Sequence, residues 1–463
     1  MADKTTNALA TYATLRWEDL SAEAVHAAKA RIVDSIGCAA GGYGSEPERI
    51  AREVAAEYSS RNPVRLWFSG ARSSPDMAAF ANTVMVRYLD WNDTLTLATG
   101  GHPSDMIPVL VAAAEARGKS GRELIVAIAA AYEAFATLAQ TVAIRERGWD
   151  QGLFIGLGAA VGLANLFRLS PAATAHAIAL TVTPNVPTRQ TRAGELSMWK
   201  ACATAAAARS ALFACELADR GMTGPDQPFE GRHGVFELLT GPLGIAPFVA
   251  GTGPSAVQRT HIKSFPSEFH SQAPIWLAFD LRQKVPPAEI ESIDIGTYWL
   301  AFSEIGSEPE KWHPKTRETA DHSLPFLVAT ALRDGEVSTA SFTSDRFSDP
   351  ELLQLMARIR IAEDKSFSAR YPAELVSRMI VTTRSGEQLT VETRYPKGHA
   401  ENPLNDEELV GKFRRSAAGV LSAQQQVRVV DVVGRLDSLP SITPLLDTLV
   451  ANATAGAGQR TGG

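Results

Sequence analysis

The chain has 463 residues, with 45 Lys and Arg against 51 Asp and Glu, a net charge of −6 and 45% hydrophobic residues. That length can bury a large core and divides most naturally into two or more domains. The mild acidity argues against partners such as nucleic acid or an anionic membrane, while leaving room for local cations that hold an acidic metabolite. No apolar run follows the first residues, so no secretory signal is expected, and the natural reading is a soluble cytoplasmic protein. Cys38, Cys202 and Cys215 are too few and too scattered for a disulfide framework or a cysteine-rich zinc site.

The first half reads as helix after helix. Ser21 precedes an amphipathic run carrying Val25, Ala28, Ile32, Val33 and Ile36, which Gly41-Gly42 closes. Ser120 and Glu123 form a capping box, and Ser170-Pro171 is a helix opening in which the missing proline N–H costs nothing. An Ala-rich helix is expected from about Met198 to Arg220, central in a bundle because alanines let helices approach closely. Its most apolar stretch lies between Lys200 and Arg209 and is too short to span a bilayer.

After about residue 255 the period changes. Ile293, Ile295 and Thr297 alternate with Asp294 and Gly296, and Ile359 and Ile361 alternate with Arg358 and Arg360. Met379 to Thr383 and Leu389 to Thr393 flank Ser385-Gly386 as a hairpin. Helices are expected near Ser323 to Arg333 and Asp349 to Arg358, then again over Glu407 to Arg415 and Ser422 to Leu436. The fold class is therefore mainly α. A large helical domain spans 1–254 and 405–450, a smaller α+β lid spans 255–404 as an insertion, and 451–463 is expected to be a disordered tail.

Four polar groups carry the chemistry. Arg87, Asp90, Asp93 and Thr94, with His102 and Asp105, gather charge that is costly to bury and needless on a surface, which suits a pocket for a charged substrate. If the helix continued that far, Asp90 and Thr94 would share one face, with Asp93 left to cap the next segment. Lys200, after a loop holding Arg189 and Arg192, supplies cations suited to a di- or tricarboxylate. Lys263 to Gln272, with His270, stands at a domain junction, where clefts form. The fourth group contains Asp321 and His322. None of the nine histidines has metal-ligand spacing and no glycine loop suits a phosphate, so neither a metal nor a cofactor is expected.

Four motifs resemble the 2-methylcitrate dehydratase family, also called MmgE/PrpD, which includes cis-aconitate decarboxylases and iminodisuccinate epimerases. They are Leu-Asp90-Trp-Asn-Asp93-Thr94 with His102-Pro-Ser, Lys200 ahead of its alanines, Lys263-Ser-Phe-Pro-Ser-Glu-Phe-His270-Ser-Gln, and Asp321-His322-Ser-Leu-Pro-Phe326. The resemblance runs from the first helix to about Pro444 and implies a homodimer with its site between helical domain and lid. It also implies site residues Asp90, Thr94, His102, Lys200, Lys263 and His270.

Gln151, Glu268 and Phe326 depart from residues common in the family, where two histidines and a tyrosine occur. Losing imidazole and phenol groups removes possible proton donors and points away from cis-aconitate decarboxylation. The resulting expectation is a cofactor-independent hydro-lyase on a hydroxylated di- or tricarboxylate. His102, Asp90, Lys200 and Lys263 would be catalytic; Thr94, Arg87, Arg192, His270 and His322 would bind substrate. An epimerase or decarboxylase on the same scaffold, or a carboxylate-binding protein without turnover, are the alternatives.

Overall fold

Helix caps explain most of the first half. Ser21 Oγ accepts the Ala24 N–H at the start of Ala22–Gly42, and Ser120 with Glu123 makes the expected capping box on Gly121–Ala139. Ser170 caps Pro171–Val182. The computed structural model describes residues 2–451, so the expected disordered tail lies outside the described residues apart from Ala451, whose N–H donates to Phe68 O.

Gly121–Ala139 packs on Gly152–Phe167, which packs in turn on the Ala-rich Trp199–Asp219. Small residues permit this: a Cβ on Gly162 would lie 2.8 Å from Ala127 O. Trp199–Asp219 runs through Lys200 and Arg209, close to the expected span of Met198 to Arg220. By length and composition it is long enough to cross a membrane, contrary to expectation, and 67% of its most apolar stretch is buried within the fold.

Beyond residue 265 a four-stranded sheet forms. Ile290–Thr297 pairs in parallel with Ile359–Glu363 on one side and antiparallel with Ser377–Thr383 on the other. The hairpin closes as expected, Met379 opposite Val391 and Val381 opposite Leu389, with Gly386 at φ 86° in its turn. Gln272–Arg282 packs on the hairpin strands and on Leu324–Asp334, capped by Ser323. One hydrophobic core draws on residues from Leu9 to Val257 and again from Phe413 to Leu449; a second draws on Phe265 to Val391. Asp406–Ala417 lies along Ala22–Gly42, so the last helices return to the first core.

Candidate active site

The helix Pro75–Tyr88 carries Arg87 in its last turn and ends before Asp90. Leu89 caps it, and Asp90 takes a left-handed backbone at φ 50°, a conformation that aspartate tolerates better than most residues. Asp90 and Thr94 therefore do not share a helix face. A loop brings them together instead. Thr94 pairs with His261 through two backbone hydrogen bonds of 2.9 and 2.7 Å, and Leu95 pairs with Gly101, which turns the chain back to His102. Gly101 must lack a side chain, because a Cβ would lie 2.3 Å from Gln151 Oε1. Asp93 takes the capping role: its Oδ1 accepts the Ser104 N–H at 3.0 Å and its Oδ2 accepts the Tyr132 hydroxyl at 2.9 Å.

His102 is locked in one orientation. Its backbone N–H donates to Gln151 Oε1 at 2.7 Å, and its Nδ1 lies 2.7 Å from the Asp93 carbonyl oxygen, with Thr94 Oγ1 at 3.2 Å. A carbonyl can only accept, so Nδ1 carries the proton and Nε2 keeps its lone pair. Nε2 stands 3.8 Å from Asp90 Oδ1. Burial, then the charges of Arg87 and Lys263, hold this imidazole well below its ordinary pKa, so it is neutral at pH 7.

Asp90 is the hub. Arg87 grips it with contacts of 2.9 and 3.1 Å, Lys200 Nζ is 3.2 Å from Oδ2, and Lys263 Nζ contacts Oδ1 and donates to the Asp90 carbonyl oxygen at 2.6 Å. Burial alone would raise the pKa of this carboxyl; Arg87, Lys263 and Lys200 outweigh it and hold Asp90 well below the usual range. Lys200 also meets Asp321 Oδ1 at 2.8 Å, and His322 Nδ1 donates to the same oxygen at 2.5 Å. That leaves His322 Nε2 3.6 Å from Asp90 Oδ2. Burial, then Lys200, lowers His322 to about 4. Asp90, Asp321 and His322 offer ligand atoms within 4.8 Å of one another, close enough for an ion to bridge them. Lys200 Nζ lies within 3.3 Å of all three residues, so a lysine cation stands where a metal would.

The second core adds another group. Glu268 donates its N–H to Asp321 O at 2.8 Å, and its Oε2 accepts the His270 N–H at 2.6 Å. His270 Nδ1 is 2.5 Å from the Tyr298 hydroxyl, and Tyr298 stacks on Tyr371 at 4.9 Å. Burial pushes the Glu268 carboxyl up to about 7 and His270 down to about 3. Glu304 pairs with Arg189 at 2.6 Å through Oε2 and lies 3.8 Å from Arg145.

Asp90, Arg87, Thr94, His102, Lys200, Lys263 and His322 thus converge, with His270 beside them across Glu268. Arg192 does not join them: its Nε donates to Asp150 Oδ2 at 2.6 Å, and among the described residues no ion pair or hydrogen bond links it to the Asp90 cluster. Arg87 is as buried as Lys263, at 1% exposure, and its guanidinium is held against Asp90. Of the departures, Gln151 anchors the His102 backbone, and Phe326 packs with Phe342 and Phe347 in the second core. The phenol beside His270 comes from Tyr298, which no sequence motif signalled. Asp321 and Glu268 stood inside quoted motifs, but only their neighbours reveal a role.

Residues 7–246 match the family model for the MmgE/PrpD N-terminal domain, and residues 265–437 match that for the MmgE/PrpD C-terminal domain. The 2-methylcitrate dehydratase of Escherichia coli (strain K12) is 27% identical over 430 residues, covering 84% of this chain and 85% of that protein. A 2-methylcitrate dehydratase of Cupriavidus necator is 26% identical over 461 residues, covering 92% and 93%. The cis-aconitate decarboxylase of Mus musculus is 25% identical over 446 residues, covering 91% and 88%. With both of its halves matched, the chain belongs to the MmgE/PrpD family.

Proposed function

We propose that the protein is a cofactor-independent hydro-lyase that dehydrates a hydroxylated di- or tricarboxylate, with 2-methylcitrate to 2-methyl-cis-aconitate as the favoured reaction. One observation carries the reading: a neutral imidazole with a free Nε2, on His102, faces a buried carboxylate ringed by Lys200, Lys263 and Arg87. Removing a proton beside a carboxylate needs a base with an open lone pair and cations for the enolate-like charge that develops. His102 takes the proton, Lys200 and Lys263 stabilise the charge, and Thr94 and His322 bind substrate oxygens.

Asp90 and Lys263 are 1% exposed, Lys200 2% and His322 8%, which favours residues 255–404 acting as an inserted lid that opens for a polyanion. A cytoplasmic homodimer completes the proposal.

The test is turnover over 2-methylcitrate, citrate, cis-aconitate and iminodisuccinate, followed by NMR in deuterated water. Alkene signals from a hydroxylated substrate support dehydration, whereas deuterium at an intact carbon means epimerisation. His102→Ala, folded, is expected to lose about 100-fold or more of the turnover. Retention of most of it overturns the base assignment.

A further inference from the structure

We propose that Glu268 is the general acid that hands a proton to the departing hydroxyl. The proposal rests on the dehydration reading and adds the group that this reading leaves unnamed. Expelling hydroxide is slow without a proton, and the base cannot supply one while it is taking another.

Geometry singles out Glu268. It stands in the segment that opens the second core, whereas His102 stands in a loop of the first, so the two reach the cluster from different parts of the fold. Its Oε2 is fixed by the His270 N–H, and its backbone N–H is tied to Asp321 O. Among the described residues its Oε1 takes no hydrogen bond, and it lies 3.8 Å from His270 Nε2. The side chain is 15% exposed, whereas Asp90 is at 1% and Asp321 at 0%.

The charged and titratable neighbours are Lys263, Asp90, Glu304, His270, Tyr298 and Tyr371. Lys200 and Lys263 commit their ammonium protons to Asp90 and Asp321, and none of the remaining candidates holds an available proton at neutral pH. Asp321 is lowered to about 2, His270 to about 3 and His322 to about 4, while Tyr298 is held well above its ordinary value. Burial leaves Glu268 at about 7, which suits a donor working at neutral pH.

The step balances. His102 Nε2 takes the proton from the carbon beside the carboxylate, and the C–H electron pair becomes the new C=C bond. The C–O bond breaks with its pair on oxygen, Glu268 Oε1–H gives that oxygen its proton, and water leaves. His102 ends as imidazolium and Glu268 as carboxylate; His102 then releases a proton to solvent and Glu268 regains one. The sum is substrate to alkene plus water.

The experiment compares wild type, Glu268→Gln and Glu268→Asp on the hydroxylated substrate found by the screen and on its analogue with fluorine in place of the leaving hydroxyl. Fluoride leaves without an acid. Glu268→Gln is expected to lose about 100-fold or more of kcat on the hydroxyl substrate, yet to stay within about threefold of wild type on the fluoro analogue. In wild type kcat/KM should fall as pH rises through about 7, because the protonated form of Glu268 is the active one. That fall should vanish in Glu268→Gln and persist, at lower activity, in Glu268→Asp.

Equal loss on both substrates, or a Glu268→Gln enzyme keeping more than about a third of kcat with the pH limb intact, overturns the assignment. A wild type that dehydrates nothing in the panel is a different failure: it removes the dehydration reading, and this proposal with it. Thermal melts of the three proteins separate misfolding from chemistry.

Discussion

Lys412 connects the last helices to the site. On the helix Asp406–Ala417, its ammonium lies 2.6 Å from Asp34 Oδ1, donates to the Trp91 carbonyl oxygen at 2.7 Å and sits 5.3 Å from the centre of the Trp91 ring. Lys412 has 2% side-chain exposure and Asp34 has 1%. Replacing Lys412 by Met keeps the bulk and deletes the charge. Asp34 is then a buried carboxylate that has lost its paired cation and keeps only the weaker pull of Arg31, and burial already pushes its pKa up. Its escape is to bind a proton, which at pH 7, about three pH units above an ordinary aspartate, costs about 4 kcal/mol. Breaking a buried pair from one side typically costs about 3–5 kcal/mol, so two independent arguments agree.

The sign fixes a pH dependence for Lys412→Met. Its folded state binds a proton that its unfolded state has lost, so the penalty grows with pH above about 4 and shrinks to about 1.5 kcal/mol at pH 5. Guanidinium unfolding at pH 5 and pH 7 measures it. The double variant Asp34→Asn with Lys412→Met should recover most of the loss, since neither charge remains. A single-variant loss under about 1 kcal/mol at pH 7, or an equal loss at both pH values, refutes the argument.

Two further outcomes stem from the cluster. Lys200→Ala vacates the position between Asp90, Asp321 and His322, so this variant should bind a divalent cation such as zinc, seen as heat in calorimetry that wild type lacks; silence in both proteins would show that the three ligands cannot close on an ion. Glu304→Gln should weaken the hold of Arg145 and Arg189. Burial opposes ionisation of Glu304, but these arginines hold it at about 2, so its contribution is present above the ordinary glutamate pKa and is lost as pH falls toward 2. The variant should melt lower than wild type at pH 7 and by a smaller margin at pH 3; a constant margin would sink this account.

Legibility in the sequence divides along physical lines. Caps and periodicity are local, so Ser120 with Glu123 announced a helix, and alternating isoleucines announced the strand Ile290–Thr297. The residues that converge on Asp90 were legible by type, because clustered charges of this kind are costly to bury without partners. Their roles were less so. Asp90 leaves the helix through a left-handed turn that its periodicity does not forecast, and Arg192 looked like a ligand cation because Asp150 carries no mark of being its partner. Glu268 read as a lost imidazole, yet burial gives it the proton affinity of one. Lys412 carries no mark in the sequence beyond its place on an expected helix, and the return of that helix to the first core buries it.

The ion pairs also bear on how a substrate would enter. Lys200, from the first core, meets Asp321 and His322 beside the second; Arg317 reaches back to donate to Tyr88 O at 3.1 Å; Arg145 and Arg189 meet Glu304. Each contact joins the two cores, and Lys200, Arg145 and Arg189 each hold a carboxylate there. A di- or tricarboxylate can offer those same cations the same kind of partner. Exchanging Asp321 or Glu304 for a ligand carboxylate therefore conserves the number of charge pairs, whereas opening without a ligand strands cations that burial has already partly stripped of water. If the cores part to admit a polyanion, closure should be tightest around one of matching length, and raising ionic strength should weaken its binding more than it weakens the fold, whose two hydrophobic cores do not depend on charge.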